Sequence, residues 1–115
     1  MAGTIEEMLP VLLKFRHERE WEQFHLPKEL ATAASIEASE LLELFLWRER
    51  ETPMTVKQDT HRMELIRDEV ADVLIYLLFL SHDLGIDIPE ALKQKLETNR
   101  KKYPLEEYMG RFRMP

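Results

Sequence analysis

Two acidic steps hold the chemistry that this sequence can do: Glu37-Ala-Ser-Glu40 and Glu69-Val-Ala-Asp72. In each, two carboxylates stand three residues apart, one helical turn, and project from the same side of a helix. Glu37 and Glu40 are embedded among Ile36, Leu41, Leu42, Leu44, Phe45 and Leu46, while Glu69 and Asp72 open into the unbroken apolar run 73–80. A carboxylate on a face that should be buried is costly unless it is paired or binds a cation. Four oxygen donors, with no cysteine and no histidine pair at ligand spacing, suit Mg²⁺, or Mn²⁺ in its place, better than zinc. The plainer reading is of exposed acids on amphipathic helices, since 22 of the 115 residues are Asp or Glu. Two such steps, each joined to an apolar segment, weigh against it.

Aromatic and basic residues fall beside these steps. At 100° per residue Trp47 lies about 20° from Glu40, two turns further along, and Tyr76 stands in the same relation to Glu69. Lys95, Asn99 and Lys102 share one helical face at i, i+4 and i+7. Acids, aromatics and a Lys/Asn/Lys face are the parts needed to hold metal ions, a base and phosphates. Each has a blander alternative: core aromatics, solvated lysines, a capping Asn. His25, ahead of Leu26-Pro27, reads alone as a loop residue, with Trp21 as a core anchor. A di-iron bundle needs two Glu-x-x-His steps, and only Glu22-Gln-Phe-His25 fits. No Walker-type loop is present, and three glycines could not make one.

The elements that must position these groups are all helical. Thr4-Ile-Glu-Glu7 reads as a capping box opening a first helix to about Trp21, with Pro10 marking a kink or a late start. A second helix is expected over 28–50, broken at Thr52-Pro-Met-Thr55, with Thr55-Val-Lys-Gln58 a further capping box. A third should end near Gly85, its charged start (59–68) partly loop. Asp87-Ile-Pro89 opens a fourth, ending near Tyr103-Pro104. Few glycines and many Leu, Glu, Ala, Lys and Arg favour helix throughout. The expectation is one all-α, four-helix-bundle-like domain over 1–115, with its core at about 4–104 and a tail at 105–115. The run 73–80 is apolar all round, which a surface helix is not, so it should be both central and a subunit interface.

Charge and composition exclude several classes. A net charge of −6 argues against a nucleic-acid polymer as partner, but not against a nucleotide whose charge is carried by metal ions. With no cysteine there is no disulfide framework. No basic, apolar leader is seen at the N-terminus, and 73–80 is too short to span a bilayer, so a cytoplasmic protein without membrane association is expected.

Four ordered blocks carry a resemblance: Arg19-Glu-Trp-Glu-Gln-Phe-His-Leu-Pro27, Ile36-Glu-Ala-Ser-Glu-Leu-Leu-Glu-Leu-Phe-Leu-Trp47, Asp68-Glu-Val-Ala-Asp-Val-Leu-Ile-Tyr76 and Asn99-Arg-Lys-Lys-Tyr-Pro104. Over about 19–104 the chain resembles the MazG-like all-α nucleoside triphosphate pyrophosphohydrolases, in particular their short dCTP pyrophosphatase branch. The resemblance implies that Glu37, Glu40, Glu69 and Asp72 bind Mg²⁺. It places Trp21, His25, Trp47 and Tyr76 around a nucleotide, and Asn99, with Lys95 and Lys102, at its phosphates. It implies cleavage between the α and β phosphates, of dCTP or a modified dNTP, in a house-cleaning role. It also implies assembly as a dimer or a dimer of dimers, the homotetramer. Glu40 or Glu43 is the candidate to position or deprotonate the water. Leu12 stands where relatives of this branch have a histidine, and Ile36 and Ser39 where they have glycines, departures that bear on base preference. The alternatives are a dUTPase-like or phosphoribosyl-ATP-cleaving relative and, from another class, a non-catalytic helical regulatory dimer.

Overall fold

The computed structural model describes residues 3–111, and among them every regular element is a helix. Four are long: α1 (Ile5–Glu18), α2 (Pro27–Glu43), α4 (Thr60–Asp83) and α5 (Ile88–Lys102); α3 (Pro53–Lys57) and α6 (Leu105–Tyr108) are short, and a 3₁₀ turn spans Trp21–Phe24. The all-α expectation with four main helices holds. The tail forms α6 as far as Tyr108, and its last residues, 112–115, lie outside the described chain.

Each start is set by a local cap. Thr4 accepts from the Glu7 amide at 3.1 Å, while the Glu7 carboxylate reaches the Gly3 amide rather than the cap's own. Helix α1 therefore begins at Ile5 and carries Pro10 inside it. Asp59 accepts from the Arg62 amide and Asp87 from the Glu90 amide, so the charged stretch 59–68 is helix, not loop. The capping box between α2 and α4 starts at Thr52, with Thr55 as its third helical residue, not at Thr55. Gly85, at φ 67°, ends α4 in a Schellman turn: its amide bonds to the His82 carbonyl and that of Ile86 to Ser81.

Two helix ends differ from expectation, the first for a local reason and the second for a long-range one. Helix α1 stops at Glu18, where the Arg19 guanidinium takes the Phe15 carbonyl at 2.9 Å and Glu20 turns left-handed; Trp21 sits in the 3₁₀ turn. Helix α2 stops at Glu43 rather than Arg50. Arg62, buried at the start of α4, donates to the Leu44 carbonyl at 2.9 Å and grips Glu51 with both terminal nitrogens. One side chain thus satisfies an orphan carbonyl of the helix end and folds back the loop that follows. Trp47 in that loop has φ 65°, so the helical projection placing it beside Glu40 fails.

Helices α2 and α4 make the principal pair, and α1 packs on α4. Since Leu44 meets Arg62 and Glu37 meets Glu69, α2 and α4 run antiparallel. Leu30, Ala34, Leu78 and Phe79 form a small buried core. Helix α5 shares no extensive packing with another helix, and its Leu92 and Leu96 are exposed.

Candidate active site

The acidic steps meet across the α2–α4 pair. One carboxylate oxygen from each of Glu37, Glu40 and Glu69 lies within 4.8 Å of the others. Glu37 and Glu69 are half-buried, and in each the Oε2 atom is buried without a hydrogen-bond partner. The Glu69 carboxyl beside it holds Glu37 above the usual carboxylate range, against a smaller opposing contact from Glu40, and burial and the charge of Asp72 add to the push. Glu37 in turn raises Glu40. Like charges held together, with buried oxygens unpaired, are what a cation-binding site presents. The residues fit a hard divalent ion in kind: every donor in the cluster is a carboxylate oxygen, the ligand type that such ions take.

Asp72, one turn beyond Glu69, belongs to two places. Its charge is felt at Glu37, and its side chain lines a cavity of about 310 Å³ with Leu12, Phe15, Trp21, His25, Ile75, Tyr76 and Phe79. The aromatic wall is continuous: Phe15 meets Trp21 edge-on at 5.5 Å, Trp21 and Tyr76 each stand 6.3 Å from His25, and His25 lies 5.5 Å from Phe79. The His25 Nδ1 atom is buried and unpartnered. Burial first, then the charge of Arg16, pushes this imidazole below its ordinary value. An apolar slot of this size with a few polar atoms suits a small planar ligand.

Of the expected site residues, Glu37, Glu40 and Glu69 are brought together in one cluster, and Trp21, His25, Asp72 and Tyr76 around one cavity. Trp47 is not: its side chain is 97% exposed and outside this cavity. Glu43 ends α2 one turn beyond Glu40 and is exposed, in neither the acidic cluster nor the cavity lining. Lys95, Asn99 and Lys102 do share a face of α5, but among the described residues no side-chain hydrogen bond or ion pair joins them to the acids. Sequence reasoning missed Phe15, Ile75 and Phe79 as cavity walls and Arg16, Asp83 and Arg62 as buried or paired charges. A signal existed: Arg16 follows Leu9 and Leu12 on the apolar face of α1, and Arg62, Ile66, Glu69, Val73 and Tyr76 form one stripe.

The MazG-like family profile matches residues 32–111. The chain belongs to the MazG-like family. Among solved structures this MazG-like chain is similar to a pyrophosphatase from Archaeoglobus fulgidus DSM 4304, 41% identical, with a TM-score of 0.76 and coverage of 90% of this chain and 95% of that one. It is also 37% identical to dCTP pyrophosphatase 1 of Bos taurus over 102 residues, 89% of this chain, and 37% identical to that of Homo sapiens over 101 residues. The chain spans about 60% of the length of these curated relatives. No helix among the described residues is long and apolar enough to cross a membrane.

Proposed function

We propose that this MazG-like chain is a divalent-metal-dependent nucleoside triphosphate pyrophosphohydrolase, splitting the α–β phosphoanhydride of dCTP or a modified dNTP to a monophosphate and pyrophosphate. The observation that carries this reading is the acidic cluster of Glu37, Glu40 and Glu69 next to an aromatic slot lined by Asp72, one helical turn from Glu69, so that phosphates and base of one molecule would be served from adjoining sites. The relatives named dCTP pyrophosphatase and pyrophosphatase support the reaction class.

Glu37, Glu40, Glu69 and Asp72 would hold Mg²⁺ or Mn²⁺. The bound metal supplies neutralisation of triphosphate charge and a more acidic water. Four bare carboxylates repel a triphosphate, so substrate enters with its cation. Trp21, His25 and Tyr76 enclose the base and keep water from it. Glu40 and Glu43, both exposed near the end of α2, are this reading's candidates to orient or deprotonate the attacking water. Lys95, Asn99 and Lys102 are the phosphate contacts of this reading, as α5 offers them on one face.

The reading includes a homo-oligomer, dimer or tetramer. Trp47, exposed and left-handed, and the unpacked apolar faces of α4 and α5 are what a second copy would cover. A cytoplasmic setting and a nucleotide-pool role belong to the same proposal.

The test is to incubate the protein with each dNTP and NTP and Mg²⁺ and to separate the products. Monophosphate and pyrophosphate, fastest from dCTP or a modified cytosine nucleotide, are expected. Diphosphate with orthophosphate would place cleavage at the wrong bond, and no product from any nucleotide would reject the enzyme.

A further inference from the structure

Below the aromatic slot lies an ion pair that the reaction does not itself require. Arg16, only 5% exposed, donates from both terminal nitrogens to the two Asp83 oxygens, at 2.9 and 2.8 Å. The pair bolts the end of α1 to the end of α4 in the bidentate geometry that gives arginine–carboxylate contacts their directionality. The guanidinium carbon stands 4.6 Å from the centre of the Phe79 ring, and Phe79, 3% exposed, meets His25. So Phe79 touches the pair on one side of the structure and the slot's histidine on another. Burying the guanidinium end of this pair carries a desolvation cost that its partly exposed Asp83 end does not share, which turns attention to what the pair holds in place.

We propose that Arg16 and Asp83 are positioning residues for the slot, acting through Phe79 to fix its floor and setting the protonation state in which His25 meets the ligand. This rests on the reading of the slot as the base site. A nucleobase is uncharged, and a neutral imidazole presents one donor and one acceptor to it. A protonated His25 would instead bring a buried cation with an Nδ1 proton that has no partner.

The groups facing His25 are few. From α1 comes Arg16, which disfavours its charge. From α4 come Asp83, which favours it, the Tyr76 ring, and Asp72 on the slot wall, whose charge a bound cation would share. From the 3₁₀ turn comes Glu22, already paired with His17 at 2.8 Å. Arg16 and Asp83 therefore act on His25 with opposite signs. Losing the arginine leaves Asp83 unanswered and raises the imidazole; losing the Asp83 charge leaves Arg16 unanswered and lowers it.

That opposition separates positioning from plain structural support. The His25 titration would be followed by NMR in the full chain, with His61 as reference, for wild type, Arg16→Met, Asp83→Asn and Arg16→Lys. The expected result is an upward move in Arg16→Met, a downward move in Asp83→Asn, and a value near wild type in Arg16→Lys. In parallel, KM for the preferred dNTP should rise about tenfold in Arg16→Met at neutral pH with kcat within twofold. The acidic limb of its KM profile should move with His25. Both variants moving His25 the same way, or neither moving it, would overturn the proposal; should Arg16→Met fail to fold, an unmoved His25 in Asp83→Asn does so alone. The NMR readout needs no turnover. Wild type inactive on every nucleotide would sink the function above, while the His25 shifts would still judge the pair.

Discussion

At the acidic cluster, the divalent cation of the proposed reaction would compete with protons for the same oxygens. The carboxyls of Glu37 and Glu40 are raised by their neighbours, so the folded chain binds their protons more tightly than the unfolded chain does. Stability from this source is full below the ordinary carboxylate range and is lost as pH rises through the raised values. Asp83 and Glu51, lowered by Arg16 and Arg62, work in the opposite sense and lose their contribution as pH falls through their depressed values. Thermal melts in chelator should therefore show Tm rising from strong acid as pH passes the depressed values of Asp83 and Glu51, then falling as it passes the raised values of Glu37 and Glu40. Mg²⁺ should lift the upper limb; at ten times its Kd it adds about 1.4 kcal/mol, a rise of about 5 °C for a chain of this size. Glu37→Gln should flatten the upper limb in chelator and remove most of the Mg²⁺ response. A flat upper limb in wild type, or an unchanged response in Glu37→Gln, would contradict the metal site. The cluster of Glu37, Glu40 and Glu69 was legible in the sequence because two i, i+3 acidic steps set into apolar segments fall on helix faces that pack together. Phe79 and Ile75 were not, because cavity-lining apolar residues look the same as core residues until the helices are docked.

At the scale of elements, the loop after α2 depends on Arg62. Its guanidinium ties Leu44, Glu51 and the Phe45 ring (5.5 Å away) to the start of α4, and this fixes where the backbone leaves the helix that bears Glu37 and Glu40. Arg62→Met should lower Tm by about 5 °C or more and free the Trp47 side of the loop, read as faster tryptophan depolarisation. The exposed pair of Arg100 with Glu97 offers a comparison, and Arg100→Met should change Tm by little. Equal effects of the two substitutions would remove Arg62 from this role. The helix starts at Thr4 and Asp87 could be read, because a cap acts within one turn, but the start at Asp59 was hidden in a charged stretch that reads equally well as loop. The end of α2 could not, because Leu44, Phe45 and Leu46 continue the apolar period while the residue that ends the helix comes from 18 positions away. The same error misplaced Trp47.

As a single chain the molecule is extended and leaves large apolar residues exposed. Its radius of gyration is 17.5 Å, against about 13–14 Å for a compact domain of this length. Leu74 and Leu77, in the middle of the apolar run of α4, are each 42% exposed. Sedimentation at micromolar concentration should return a multiple of 13.8 kDa, and Leu77→Glu should shift the population toward single chains; a monomeric wild type would refute the oligomer. The sequence signalled this surface, since a helix apolar on every side needs more neighbours than one small chain supplies. The account as a whole turns on whether the acidic cluster drives phosphoanhydride cleavage. The direct measurement is pyrophosphate release from dCTP across a Mg²⁺ series, by wild type and by Glu40→Gln. The account predicts release that saturates with Mg²⁺ and falls roughly 100-fold or more in the variant. Release without any divalent ion, or undiminished in Glu40→Gln, would contradict it.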